Sequence, residues 1–377
     1  MIVKRLEHFP VEMPLKDPNW VFALGSVTAA RGWMVHATGE DGTVGYGYGP
    51  AIPHMGSSFE KLPKELERFA PLVVGKDSFS IETLLKDMEA SLRYASQAKA
   101  AVEGALYDLN ARLLGVPLYN LLGGKVRDKI PILRIVSIKS PTDMAKDAGK
   151  LADAGYRYLK IKVHGDVDED VARIKAIRRR VGREVHLTID ANQSYTVKDA
   201  VLAINRMIEY GVELVEQPVP VGDLKGLALI TQSVPIAVEA DEGAGTIDEI
   251  LALASNRIVD AVSLKIPKLG GLRNALAAAR ICEATGIRYR LGAHVGTRLL
   301  AAHALHLAAA LPDVTYACEV GEFVRMNDDP FEGIEVVDGH IVVPDRPGCG
   351  VTLRKEKRAR AAAAAIRRPA RKRRHSA

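Results

Sequence analysis

The chain has 377 residues, 47% hydrophobic and 26% charged, a balance that excludes disordered and fibrous classes and fits a large soluble protein. Its formal charge of +6 is misleading: residues 354–377 hold 11 of the 52 Lys and Arg and one of the 46 acids, so the body is slightly acidic. A nucleic-acid partner is therefore not expected, beyond non-specific contact through a disordered basic tail. Three scattered cysteines suggest neither a disulfide framework nor a zinc site, and no apolar run reaches the roughly 18 residues of a membrane span, so a cytoplasmic location is expected.

In chain order, "GWMVHATGEDGTVGYGYG" places Asp41-Gly42 between two alternating runs, which predicts a hairpin. Two helical segments follow, "IETLLKDMEASLRYA" and "AKAAVEGALYDLNARLLG", and together residues 1–125 read as an α+β domain. Residues 126–325 alternate short apolar runs with amphipathic ones. The strand-like runs are 132–138, 158–163, 185–190, 212–217, 236–241, 261–266, 288–293 and 315–319. Segments such as "LRNALAAARICEATG" between them read as helices that end on Gly. This alternation predicts parallel β/α units closing into a barrel. Residues 326–353 read as short strands and turns returning to the first domain.

The polar residues at the ends of the strand-like runs carry the argument. Lys162, Asp190, Glu216, Asp241, Lys265, His294 and Glu319 follow one another at steps of 28, 26, 25, 24, 29 and 25 residues. Such a step spans one strand, one helix and two loops. In a β/α barrel these ends surround a single mouth, where active sites of this architecture lie.

Asp190, Glu216 and Asp241 would offer three carboxylates from neighbouring strands, a set of hard oxygen donors suited to Mg²⁺. In "YLKIKV", alternation puts Lys160 and Lys162 on one strand face. Lys162 and Lys265 flank the metal strands from opposite sides. An amine beside a divalent cation and a second amine is expected to have a lowered pKa, which suits it to act as a base. These parts predict removal of the α-proton of a carboxylate substrate to give a metal-stabilised enediolate. A Schiff-base lyase is the rival reading for a barrel lysine, but it leaves the three carboxylates without a role.

The chain resembles the enolase superfamily, in its muconate lactonizing enzyme subgroup (mandelate racemase/muconate lactonizing enzyme family). The motifs are Lys160-Ile161-Lys162, Asp190-Ala191-Asn192, Glu216-Gln217-Pro218, Ala240-Asp241-Glu242 and "LKIPKLGG", with "AVEGALYDLNARLLGVPLYNLLGG" resembling the link from capping domain to barrel. The resemblance implies a modified (β/α)₇β TIM-type barrel with an N-terminal α+β capping domain, and one Mg²⁺, with Mn²⁺ as a substitute, on Asp190, Glu216 and Asp241. It implies Lys162 and Lys265 as the acid/base pair, Lys160 and Asn192 at the substrate and Glu242 in support. Segments 14–29 and 48–57 should be lid loops, with Trp20, Phe22, Tyr48 and His54 as candidate specificity residues. His294 and Glu319 are candidate substrate contacts. Dipeptide epimerases carry D-x-D at the eighth strand where this chain has "CEVGEF", which disfavours a dipeptide substrate. The expected reaction is racemization or epimerization of an amino-acid-like acid, with cycloisomerization of a muconate-like diacid or dehydration of a hydroxy acid as alternatives. A homo-oligomer is the family habit.

Overall fold

The computed structural model describes residues 1–355; the expected tail disorder concerns a segment that lies almost wholly outside them. The chain begins with β1 (Val3–Pro14), a small hairpin of β2 (Trp20–Phe22) and β3 (Gly25–Val27), then β4 (Ala29–Gly39) and β5 (Val44–Pro50). Strands β1, β4 and β5 form an antiparallel sheet. The predicted hairpin is present, with Asp41 accepting from the Thr43 amide. Helices α1 (Leu62–Val73), α2 (Ile81–Ser91) and α3 (Ser96–Leu113) complete this domain. Helix α3 lies so close to β5 that a Cβ on Gly47 would sit 1.8 Å from the Ala101 carbonyl oxygen. The alternate glycines of "GYGYG" make that approach possible.

The barrel follows β6 (Lys129–Pro131). Its strands are β7 (Leu133–Val136), β8 (Tyr158–Lys162), β9 (His186–Asp190), β10 (Val212–Glu216), β11 (Ala237–Ala240), β12 (Ala261–Lys265) and β13 (Arg288–Gly292), adjacent in chain order. The strand pairs are parallel. The intervening helices are α4 (Pro141–Asp153), α5 (Val167–Val181), α6 (Val197–Met207), α7 (Leu224–Ser233), α8 (Ile247–Ser255), the short α9 (Ile266–Leu269), α10 (Leu272–Thr285) and, after β13, α11 (Arg298–Ala310). Side-chain caps start many of them: Ser140, Asp166, Thr196, Asp223, Thr246 and Thr297 each accept an amide of the first turn.

The eighth predicted strand, 315–319, differs from expectation. It is reduced to single-residue bridges, Cys318 with Ile132 and Glu319 with Gly292, which close the ring between β7 and β13. Strands β7 to β13 are each followed by a helix, and among the described residues no α-helix follows the eighth, which gives the (β/α)₇β arrangement. The remaining chain pairs β14 (Phe331–Glu332) with β16 (Thr352–Leu353), and β15 (His340–Val342) with β6. It also touches the first domain: Met326 bridges Leu15, and the Cys349 amide donates to Asp108 of α3.

Both faces of the barrel sheet are buried, as parallel sheets require. On β8, Leu159 and Ile161 join the apolar layer beneath the helices, while Lys160 and Lys162 are buried on the inner face. The lysine face of "YLKIKV" therefore does not meet water.

Candidate active site

Register brings the strand-end residues level. Lys162 pairs with Asp190, Asp190 with Glu216, and Glu216 with Glu239, two residues before Asp241. Inward side chains at these positions converge because alternate residues share a face. The backbone just beyond is forced: Asn192, Gln193, Gln217 and His294 have φ of 41°, 70°, 37° and 61°, left-handed values that non-glycine residues adopt at a cost.

The interior is a dense lattice of opposite charges. Lys162 Nζ donates to Asp190 Oδ2 at 2.5 Å and Asn192 Oδ1 at 2.7 Å. Lys265 Nζ lies 2.5 Å from Asp241 Oδ2, and Lys268 Nζ 2.8 Å from Asp241 Oδ1. Lys160 Nζ is 2.9 Å from Glu216 Oε2 and 3.3 Å from Asp190 Oδ2, and also contacts Glu319. Around this set, Gln217 Oε1 accepts the amides of Asp241 and Gly243, and Asn192 Nδ2 donates to Glu242 Oε1 at 3.1 Å.

The electrostatics follow from who faces whom. Burial opposes ionisation of Asp241, yet Lys265 and Lys268 outweigh it and hold the carboxyl well below its ordinary value. Asp190 is lowered in the same way by Lys162 and Lys160. Glu216 goes up, through burial and the neighbouring Asp190, and Glu242 rises to about 7 for the same kinds of reason. For Lys265 the lowered pKa expected beside a divalent cation belongs to the metal-loaded site, and the protein's own groups act in the other direction. Burial pulls it down, but Asp241 and Glu319 pull harder and raise it. Lys160 is raised well above its usual value, with Glu216 and Glu319 overcoming burial. The protein's own groups favour charged amines. A cation that drew the carboxylates' charge toward itself would act against the rise at Lys160 and Lys265.

Whether such a cation fits can be judged from the donors. Among the described residues no three His, Cys, Asp or Glu side chains are already drawn together as a metal cage, because ammonium groups hold the carboxylates. The chemistry is nevertheless that of a hard cation: three carboxylates on adjacent strands, close enough that Asp190 and Asp241 both raise Glu216. Glu216 Oε1 is buried without a hydrogen-bond partner. An unpaired anionic oxygen is costly to bury, and a cation would satisfy it.

The other predicted residues are distributed as follows. Phe22, in the β2–β3 hairpin, has its ring 5.6 Å from Lys162 Nζ and 5.6 Å from the ring of His54. The hairpin is docked on the barrel by the Ile138 amide, which donates to Val21. His54 has a lowered pKa, through desolvation first and then Lys265, so its ring senses the same centre. His294 is partly buried with an unpartnered Nε2, and burial followed by Lys265 and Lys268 keeps it neutral. Glu319 lies inside the lattice and is held low, Lys160 and Lys265 overriding burial. Trp20 packs at a tilt against Phe22 and lies under Arg325. Tyr48 packs at Gly32 and Gly296, and the charge it senses is that of Asp329. Neither Trp20 nor Tyr48 is brought against the lysine–carboxylate lattice. A 550 Å³ cleft lies along the C-terminal segment, lined by residues including Glu335, His340 and Arg346, and contains none of these side chains.

Sequence reasoning missed Glu239, Arg290 and Lys268. Arg290 is fully buried, with Nη2 2.5 Å from Glu216 Oε2 and in contact with Glu239. The signal was available: 239 and 241, like 160 and 162, or 290 and 292, share a strand face.

Comparison with known proteins agrees with this geometry. Residues 5–123 match the family model described as mandelate racemase/muconate lactonizing enzyme, N-terminal domain, and residues 143–357 match that of the enolase C-terminal domain-like family. The chain is 37% identical over 319 residues to a hydrophobic dipeptide epimerase of Enterococcus faecalis, covering 84% of this chain and 90% of that protein. It is 33% identical to a chloromuconate cycloisomerase of Cupriavidus necator, covering 84% and 87%. The solved dipeptide epimerase of Enterococcus faecalis V583, complexed with Mg and L-Leu-L-Tyr, superposes with a TM-score of 0.90 at 33% identity, covering 93% of this chain and all of that one.

Proposed function

The chain belongs to the mandelate racemase/muconate lactonizing enzyme family of the enolase superfamily and is one of its isomerases, and from this we propose that it racemizes or epimerizes an amino-acid-like carboxylic acid by Mg²⁺-dependent removal of the α-proton. The observation that carries the reading is the placement of Lys162 and Lys265 on strands either side of those bearing Asp190, Glu216 and Asp241.

When bound, Mg²⁺ would be held by these three carboxylates and would act as a Lewis acid toward the substrate carboxylate. Lys162 and Lys265 then serve opposite faces of the α-carbon. One Nζ, neutral, takes the proton, and the other, charged, returns one to the opposite face. Asn192 orients Lys162, and Lys160 adds positive charge near the acid group. Phe22 and the docked hairpin exclude water from the proton-transfer path.

The nitrogen substituent of the substrate can be narrowed. Glu319 is claimed by Lys160, and Glu322 by Arg134 and Arg325. A free terminal ammonium finds no unclaimed acid at these two positions, which favours an N-blocked amino acid over a dipeptide. Incubation in D₂O with Mg²⁺ tests this, with a panel of N-acyl amino acids, dipeptides, a muconate-like diacid and hydroxy acids. Deuterium should appear at the α-carbon of both enantiomers of an N-acyl amino acid. Lactone formation from the diacid, with no exchange in the amino-acid substrates, would instead favour cycloisomerization, which the 33% identity to a chloromuconate cycloisomerase keeps as the second reading.

A further inference from the structure

We infer that Arg290 is a positioning residue for Glu216, fixing that carboxylate so that its Oε1 is the oxygen left for a cation. The inference rests on the metal reading above and extends it to the barrel floor.

Glu216 and Glu239 are direct neighbours across β10 and β11, both facing inward and both fully buried. Two carboxylates side by side in an apolar interior repel unless a cation lies between them. Arg290 supplies it from β13, two strands from β11. The position opposite it on the intervening strand β12 is Ser263, a small residue whose side chain leaves room for the guanidinium to cross. One nitrogen, Nη2, then meets Glu216 Oε2 at 2.5 Å and also Glu239 Oε2. Lys160 approaches the same Glu216 oxygen at 2.9 Å.

The two oxygens of Glu216 are thereby made unequal. Oε2 carries two cationic partners, whereas Oε1 is buried and unpartnered. A carboxylate anchored through one oxygen is restricted in rotation, and its free oxygen has a set direction. Residues behind a ligand commonly tune a metal site in this way, and their loss typically weakens metal binding about 10–100-fold. A lysine would not substitute fully, since its ammonium sits one bond closer to the backbone than the Nη2 that meets both carboxylates.

A variant lacking only the arginine leaves Glu216 and Glu239 facing each other and can fail to fold, so the decisive protein is Arg290→Met/Glu239→Met. That pair is removed together, apolar volume takes its place, and Glu216 keeps Lys160. Mn²⁺ binding is read by electron paramagnetic resonance, with thermal unfolding in parallel. The double variant is expected to stay folded and bind Mn²⁺ 10–100-fold more weakly, with α-proton exchange recovering as metal is raised. Arg290→Lys should recover part of the affinity. A folded double variant with wild-type Mn²⁺ affinity overturns the inference and leaves the metal reading intact. A wild-type protein that binds no Mn²⁺ overturns both.

Discussion

The barrel mouth and the junction between the first domain and the barrel both bury ionisable groups, but they handle them differently. At the mouth, Lys160, Lys162, Lys265, Lys268 and Arg290 each face at least one carboxylate, while oxygens such as Glu216 Oε1 and Glu242 Oε2 stay unpartnered. At the junction, polar groups are spent on backbone. Asp108 accepts the amides of Tyr46 and Cys349 and the Arg112 side chain, Glu103 accepts the Arg273 amide at the start of α10, and His306 accepts the Tyr119 amide. The junction joins three chain segments and leaves a single carboxylate oxygen, Glu103 Oε2, open, whereas the mouth gathers several carboxylates and leaves Glu216 Oε1, Glu239 Oε1 and Glu242 Oε2 open around one centre, an arrangement suited to binding a cation. Apart from Arg290, whose loss leaves two buried carboxylates facing each other, substitutions at the mouth should therefore change turnover more than stability, and substitutions at the junction should do the reverse.

Removal of the cation is the largest test. Treatment with EDTA should take turnover to background while the melting temperature falls only modestly, and Mg²⁺ should restore activity. Activity indifferent to chelation would undo the distinction between the two regions, since the mouth's unpaired acceptors would then have no partner. Lys162→Ala and Lys265→Ala come next, each expected to lower racemization about 10²–10⁴-fold. Each variant should still exchange the α-proton of one enantiomer, the one presented to the surviving lysine. Borohydride with substrate should leave wild-type Lys162 unmodified; a trapped adduct would revive the Schiff-base alternative.

These expectations rest on residues that the sequence exposed unevenly. Lys162, Asp190, Glu216, Asp241 and Lys265 were legible because a barrel converts a regular interval along the chain into a ring in space, and strand ends are marked by a change from apolar to charged residues. Seven of the eight strands were legible for the same reason. The eighth was overstated, because 315–319 contributes only the two bridges needed to close the ring. Arg290 and Glu239 were missed because they sit mid-strand, where a charged residue is ordinarily read as pointing outward. Trp20 and Tyr48 were read as specificity candidates from their lid positions alone; their ring contacts in the structure run to Phe22 and to Gly296. The pull of Asp241 and Glu319 on Lys265 was not legible, because the sequence argument weighed only the charge of a bound cation and a second amine.

Within the first domain, the counterpart to the lysine variants is Gly47→Ala. Its new Cβ would press on the Ala101 carbonyl at 1.8 Å, so β5 and α3 must separate. Overpacking of this kind costs about 1–3 kcal/mol, or several degrees in melting temperature. Turnover per folded molecule should stay near wild type. A tenfold fall in turnover without a thermal shift would mean that the first domain's packing is transmitted to the mouth.

The smallest effect is a pH dependence of stability, in which Mg²⁺ should separate the junction's share from the mouth's. Burial lifts Glu103 from 4.5 to about 8, the amides of Arg273 and Leu272 only partly offsetting it. A carboxyl raised on folding binds its proton more tightly in the native state, so its contribution is full below pH 4.5 and is lost as pH rises through 8. Burial lowers His306 to about 4, which acts oppositely: stability is lost as pH falls from 6.5 toward 4. Between pH 6.5 and 8 the histidine is silent, and the denaturant midpoint should fall with rising pH. Glu103→Gln keeps an acceptor for the Arg273 amide without a charge to bury, so it should flatten that decline. The flattening is partial, because Glu239 at about 8 and Glu242 at about 7 titrate in the same window. Saturating Mg²⁺ should suppress the mouth's share by holding those carboxylates near a cation and leave Glu103's share untouched. An unchanged slope in Glu103→Gln under Mg²⁺ would show that the junction carboxyl is not the group titrating, and that the pH response belongs to the mouth alone.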